Sequence, residues 1–143
     1  MKSPMRRIIL FALAGTAIAT SACAAKAAYS PIANGRAIFQ TGKDVNGVQI
    51  KANPPALMPY CAACHGANGA GGKKLPGGAV SADLRHAALV THQKHPYTLA
   101  LLERAISTGV DNDGKHLNPV MPHWQLSKRD LHDVAYYVLT QLK

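Results

Sequence analysis

The sequence has few cysteines, few aromatic residues and no second long apolar run, and each shortage narrows what the protein can be. A zinc site usually has four protein ligands, and three cysteines do not provide the second Cys pair of a four-cysteine site. Aromatic residues make up 6% of the chain and do not alternate with its scattered basic residues, so no nucleic-acid partner is expected. Beyond the first 22 residues, no stretch provides the roughly 20 apolar residues that cross a bilayer.

The N-terminus does contain one long apolar run. Basic residues between positions 2 and 7 precede the apolar residues 8–19, an arrangement typical of a secretory signal. We therefore predict a signal peptide over residues 1–22, with its end between residues 22 and 28, and an exported domain over residues 29–143. In a bacterium, export places the mature protein in the periplasm.

Two modes of processing remain open at the end of this signal. Cleavage around residues 25–28 would release a soluble protein. Alternatively, Thr20-Ser21-Ala22 before Cys23 resembles a bacterial lipoprotein box, although that box normally has a larger aliphatic residue in place of Thr20. Cys23 would be an odd thiol in an oxidising compartment unless it is removed or acylated. Membrane contact is expected only if Cys23 carries a lipid.

Processing also changes the charge of the protein. The full chain has a formal net charge of +9, and loss of residues 1–28 removes four basic residues, which leaves twelve basic against seven acidic residues and a charge of +5. This excess predicts long-range attraction of acidic redox partners. Four basic residues are candidates for guiding such docking: Lys73, Lys74, Lys128 and Arg129.

The remaining sequence predicts an all-α fold of about four to five helices. Apolar residues at helical spacing indicate helices over 30–40 and 98–108 and from Ser127 to the C-terminus. Between the first helix and residue 61, the polar stretch 41–52 contains Asn46-Gly47 and predicts a small hairpin or ordered loop. No strand is expected before Cys61.

One short motif dominates the chemistry. Cys61-Ala62-Ala63-Cys64-His65 has the Cys-x-x-Cys-His spacing of a covalent haem c site. On one helical turn the thiols of Cys61 and Cys64 can each add across a haem vinyl group, while His65 places a ring nitrogen under the iron. A thioredoxin-like redox pair would need a strand-to-helix setting, which the sequence does not predict. We expect one covalent haem c.

The second axial ligand must come from a distant segment. Met58 lies three residues before Cys61 and is therefore expected on the same haem face as His65. With the methionines of the signal removed, Met121 is the remaining thioether, and Pro122 stiffens the loop after it.

Two histidines, His116 and His123, are the alternative distal ligands, and an open sixth position is a third possibility. Ligation by His65 and Met121 would raise the reduction potential relative to two imidazoles and would leave electron transfer as the available chemistry.

Together these motifs resemble the class I c-type cytochromes, small monohaem electron carriers, over residues 31–143. The residues that carry the resemblance are Gly35, Phe39, Cys61, Cys64, His65, Gly66, Met121, Pro122 and Tyr137. The resemblance implies a cytochrome c fold whose first and last helices cross at Gly35/Phe39 and Val134/Tyr137. It also implies that a proline carbonyl, here that of Pro76, accepts a hydrogen bond from the ligand histidine.

The resemblance implies an electron carrier and not an enzyme, with redox proteins as partners. The alternatives are a cytochrome subunit of a membrane-associated dehydrogenase or oxidase complex, or a haem sensor or enzyme with a labile sixth ligand. The insert 42–58 is long for the family and has no assigned role. The glycine-rich stretch 66–78 is expected to pack closely over the macrocycle. Trp124 is expected either to contact a haem propionate or to fill the core.

Overall fold

The computed structural model describes residues 28–143, so the predicted signal peptide and Cys23 lie outside the described residues. In chain order the described part forms α1 (Pro31–Thr41), β1 (Lys51–Asn53), α2 (Cys61–His65), α3 (Leu99–Thr108), β2 (His123–Gln125) and α4 (Lys128–Gln141). A 3₁₀ turn spans Pro76–Gly78 and a π-helical turn spans Ala87–Thr91. No helix within residues 28–143 is long and apolar enough to cross a membrane.

Helix α1 begins and ends where the sequence predicts. The Ser30 side chain accepts a hydrogen bond from the Ala33 N–H at 3.3 Å, and Pro31 occupies the first turn, where its missing N–H costs nothing. Gly42 ends the helix in the left-handed conformation, with φ at 71° and its N–H bonded to the Ile38 carbonyl. The predicted first helix is therefore confirmed.

The two later helices have equally clear boundaries. Thr98 caps α3 by accepting from the Leu101 N–H, and Gly109 follows its last turn with φ at 69°. At the start of α4, Ser127 accepts from the Asp130 N–H at 3.1 Å and donates its hydroxyl to the Asp130 carboxylate at 2.6 Å. These side chains fix the starts of two helices that build the core.

Helices α1 and α4 cross in direct backbone contact at Gly35. A Cβ at this position would overlap the Asp133 carbonyl oxygen and lie 2.7 Å from the Tyr137 Cβ, so only glycine allows the helices this close. Beside it, the rings of Phe39 and Tyr137 pack with centroids 5.7 Å apart, and Val134 is 1% exposed. The predicted helix crossing is confirmed.

A small sheet departs from the predicted all-helical pattern. Strand β1 pairs antiparallel with β2, in the register Lys51 with Gln125, Ala52 with Trp124 and Asn53 with His123. The prediction of no strand before Cys61 is therefore wrong, because three residues are too few to show an alternating pattern and their partner lies about 70 positions away. The turn at Asn46-Gly47 is confirmed, with Gly47 at φ 83° and its N–H bonded to the Asp44 carbonyl.

Candidate functional site

A cavity of about 430 Å³ lies inside the described part of the chain. Cys61, Cys64 and His65 from α2 line it, and so does Met121 from the loop before β2. Its other walls are mainly apolar and come from three helices and β2; they include Phe39, Leu102, Ile106, Trp124, Val134 and Val138. The cavity therefore gathers the residues of the Cys-x-x-Cys-His motif and the predicted distal methionine around one apolar space.

The two cysteines of the cavity are free thiols on a single helical turn. Burial raises the pKa of Cys61 to about 12, so this thiol stays protonated near neutral pH. Thiol exchange and metal binding require a thiolate and are favoured by a lowered pKa. The environment of Cys61 therefore argues against a dithiol redox pair.

His65 is held in one tautomer by the backbone. Its Nδ1 lies 2.8 Å from the Ala82 carbonyl oxygen, and because a carbonyl can only accept, Nδ1 carries the hydrogen. The lone pair is then on Nε2, the nitrogen available for a metal. Burial lowers the pKa of His65, and the bond to Ala82 opposes this shift only in part. The imidazole is thus neutral and oriented, as a metal ligand would need to be.

The prediction that the Pro76 carbonyl accepts a hydrogen bond from His65 is wrong. Pro76 does not line the cavity, because it begins an exposed 3₁₀ turn at the tip of a small excursion. Lys74 and Val80 close this excursion with a β-bridge, and the Leu75 N–H donates to the Ala79 carbonyl at 2.8 Å. The chain returns to the histidine only at residue 82, so the carbonyl of Ala82 takes the place expected of Pro76.

Gly71 packs tightly against the segment that carries this carbonyl. Its φ is +64°, and an added Cβ would overlap the Ala82 carbonyl and lie 2.6 Å from the Ser81 oxygen. The Gly71 N–H also donates to the His65 carbonyl at 2.8 Å. None of the glycines at positions 66–72 lines the cavity. Gly77 and Gly78 do not line it either, so the expectation that the glycines of this stretch pack over the macrocycle is wrong, and Gly71 packs instead on the protein's own backbone.

The segment around Met121 is a tight turn. The Met121 N–H donates to the Asn118 carbonyl at 2.9 Å, and the Val120 N–H donates to the Asn118 side chain at 3.0 Å. Met121 is partly buried and packs against the hydrophobic core. Met58 also lines the cavity, so the structure brings two thioethers to this space.

The alternative histidine ligands do not reach the cavity. His116 and His123 are both exposed, and neither is among its lining residues. His123 packs instead against the end of α3, where a Cβ on Gly109 would lie 2.8 Å from the ring Cδ2. Within residues 28–143, no three His, Cys, Asp or Glu side chains gather to hold a metal by themselves. Among the described histidines, His65 is the one that lines the cavity.

Trp124 carries an unsatisfied donor at the cavity wall. Its side chain is 5% exposed, and its Nε1 has no hydrogen-bond partner among the described residues. A buried N–H without an acceptor costs about 1–3 kcal/mol. A cofactor with an acidic group would supply the missing acceptor. A haem with its propionates fits this set of groups: two thiols, an imidazole lone pair, thioethers, apolar walls and a free N–H donor.

Comparison with known proteins agrees with this chemistry. A family model described as Cytochrome c matches residues 32–141, a range from the first turn of α1 to the end of α4. A comparison with curated proteins gives no match.

Proposed function

The chain belongs to the cytochrome c family, and from that membership we propose that it transfers single electrons between redox partners through one covalently bound haem c. One observation supports this most directly: Cys61, Cys64, His65 and Met121, which lie up to 60 positions apart, line a single apolar cavity. When bound, haem c supplies an iron that alternates between the ferrous and ferric states. The proposal includes export to the periplasm, with processing between residues 22 and 28 or acylation at Cys23.

Each of these residues has a distinct part in the proposed site. The thiols of Cys61 and Cys64 would hold the haem covalently, and His65 would bind the iron through Nε2 while Ala82 fixes the ring. Met121 would provide the second axial ligand through its thioether. The apolar walls exclude water, which strengthens every electrostatic interaction that sets the potential.

The mouth of the cavity suggests where a partner docks. Leu57 and Val80 line the cavity and are each 60% exposed, so an apolar surface borders it. Lys73 lies beside α2 and donates its Nζ to the Ala63 carbonyl at 2.9 Å, and Lys74 follows it on the exposed surface. We propose that acidic redox proteins dock here. Arg129 is occupied elsewhere, with its guanidinium 4.9 Å from the centroid of the Tyr29 ring.

The covalent haem is tested on the purified mature protein by mass spectrometry and by a reduced-minus-oxidised spectrum. We expect the mass of one haem to remain after denaturation in acid, together with a spectrum of a low-spin c-type haem. The same mass gives the cleavage position and shows whether Cys23 carries a lipid. A Cys61→Ala, Cys64→Ala double variant is the control and should release any haem on denaturation. A denatured wild-type chain without haem would contradict the proposal.

The donor role of Trp124 is tested by Trp124→Phe. If the Trp124 N–H stabilises a propionate, removal of this donor leaves the negative charge of the propionate less compensated. The uncompensated charge near the iron favours the ferric state. We expect the reduction potential to fall by roughly 20–60 mV, where 59 mV is a tenfold change for a one-electron couple. Redox titration measures this shift. Tyr136→Phe, which alters an exposed ring on α4, is the control. An unchanged potential in Trp124→Phe would show that Trp124 only fills the core.

A further inference from the structure

The insert 42–58 is joined to the segment that carries Met121. Strand β1 belongs to this insert and pairs along its whole length with β2. Strand β2 begins at His123, and Pro122 alone separates it from Met121. Because the φ of Pro122 is fixed, Met121 has little freedom to move relative to β2. The cross-strand pairing therefore acts within two residues of the thioether.

The insert is itself firmly attached to the helices. The Val45 N–H donates at 2.9 Å to the side chain of Asn34, which is 1% exposed at the α1–α4 crossing. Near β1, the Ile50 N–H donates to the Gly42 carbonyl at 2.8 Å, and the Gln49 side chain donates to the same oxygen at 2.7 Å. Ile50 and Ala52 also pack against the hydrophobic core. Strand β1 is thus held in place by hydrogen bonds of the insert to α1 and its C-cap and by core contacts.

The opposite side of the methionine segment is fixed to α3. The Leu117 N–H donates to the Gly109 carbonyl at 2.8 Å, and the His123 ring packs on Gly109. Within residues 28–143 the sheet consists of two strands, so β1 is the neighbour that satisfies the edge of β2. Without β1, the backbone groups of β2 on that edge would lose their partners. The pairing with the insert is therefore one of the attachments that hold the Met121 segment.

We propose that the insert 42–58 is a positioning element for the distal ligand: β1 holds β2 in place and thereby keeps the Met121 thioether on the iron. This inference rests on the proposed ligation by Met121. In this role the insert acts through β2, and its effect is on how often the methionine segment opens. Opening of this segment is required before any external ligand can replace the thioether.

Proline substitutions in β1 test this role. Along an antiparallel strand, residues alternate between bonding the partner strand and facing away, so either Lys51 or Ala52 donates its N–H to β2. Lys51→Pro and Ala52→Pro are therefore made separately, and one of them removes a cross-strand hydrogen bond. Val48→Ala is the control, because Val48 lies in the same insert but is 64% exposed at its outer turn. Circular dichroism of each protein checks that the helices form.

The measured quantity is the rate at which imidazole replaces methionine on the ferric protein, followed by loss of the methionine-to-iron charge-transfer band. Loss of one cross-strand bond should raise this rate about tenfold in at least one proline variant. Hydrogen exchange at the β2 amides that face β1 should accelerate in the same variant, whereas Val48→Ala should behave as the wild type.

The outcomes separate this inference from the proposed function. If the unsubstituted protein lacks the charge-transfer band, ligation by Met121 is overturned, and the role of the insert with it. If the band is present and both proline variants exchange imidazole at the wild-type rate, the role of the insert alone is overturned. Faster exchange in Val48→Ala equal to that in the proline variants would also overturn it, since the effect would not depend on the sheet.

Discussion

Replacement of Met121 by alanine should remove the methionine-to-iron charge-transfer band and lower the reduction potential by on the order of 200 mV, within the roughly 0.8 V range that axial ligands set in haem proteins. A soft thioether stabilises ferrous iron, and alanine provides no sulfur to replace it. The vacated position should also become accessible, so the ferrous variant should bind carbon monoxide rapidly while the wild type resists it. Redox titration and absorption spectroscopy measure both effects.

Met58→Ala is the matched control for this experiment, because Met58 is the other thioether that lines the same cavity. We expect this variant to keep the charge-transfer band and to keep its potential close to that of the wild type. Loss of the band in Met58→Ala, with retention in Met121→Ala, would show that Met58 and not Met121 binds the iron. Rapid carbon monoxide binding by the wild type would instead favour the alternative of a sensor or enzyme with a labile sixth ligand.

Gly35→Ala should destabilise the protein by about 3 kcal/mol, the upper part of the usual range for overpacking. The added methyl would overlap the Asp133 carbonyl oxygen and approach the Tyr137 Cβ to 2.7 Å, and neither is the mobile end of a side chain. The two helices would have to separate, which would disturb the packing of Phe39 on Tyr137. For a domain of this size, we expect the Tm to fall by about 10 °C. Thermal unfolding of the haem-bound protein, followed by circular dichroism, measures the change.

Whether Gly35→Ala lowers or raises the stability distinguishes overpacking from helix propensity. In a helix interior, glycine to alanine alone stabilises by up to about 1 kcal/mol. Ala33→Gly, at an exposed position of the same helix, measures that propensity term for α1 and should lower the stability slightly. A more stable Gly35→Ala protein would show that α1 and α4 cross with more space than the structure gives them.

Features with a local sequence signal were predictable, and these include most of the helices. Ser30, Thr98 and Ser127 cap their helices through their own side chains, and Gly42 and Gly109 end two of them through a backbone conformation that favours glycine. The Cys-x-x-Cys-His motif likewise identifies itself by spacing. Each of these signals lies within a few residues of the feature that it predicts, so no knowledge of distant contacts was needed.

Features that depend on distant backbone contacts were not predictable. The acceptor for His65 is a main-chain carbonyl, which has no side-chain signature, and the excursion closed by Lys74 and Val80 moves it from Pro76 to Ala82. Strand β1 is three residues long and is defined by a partner beyond α3. The approach of Met58 to the cavity depends on the path of the insert, which its polar sequence does not determine.

Because His65 is held by a main-chain oxygen, the positions around it differ in how well they tolerate substitution. Any residue at position 82 would present the same carbonyl, so the hydrogen bond to His65 does not depend on the side chain at this position. Position 71 has no such freedom, because even a single methyl there would push the carbonyl off the imidazole. We therefore expect related sequences to keep glycine at residue 71, whereas the bond to His65 sets no demand on the side chain at residue 82.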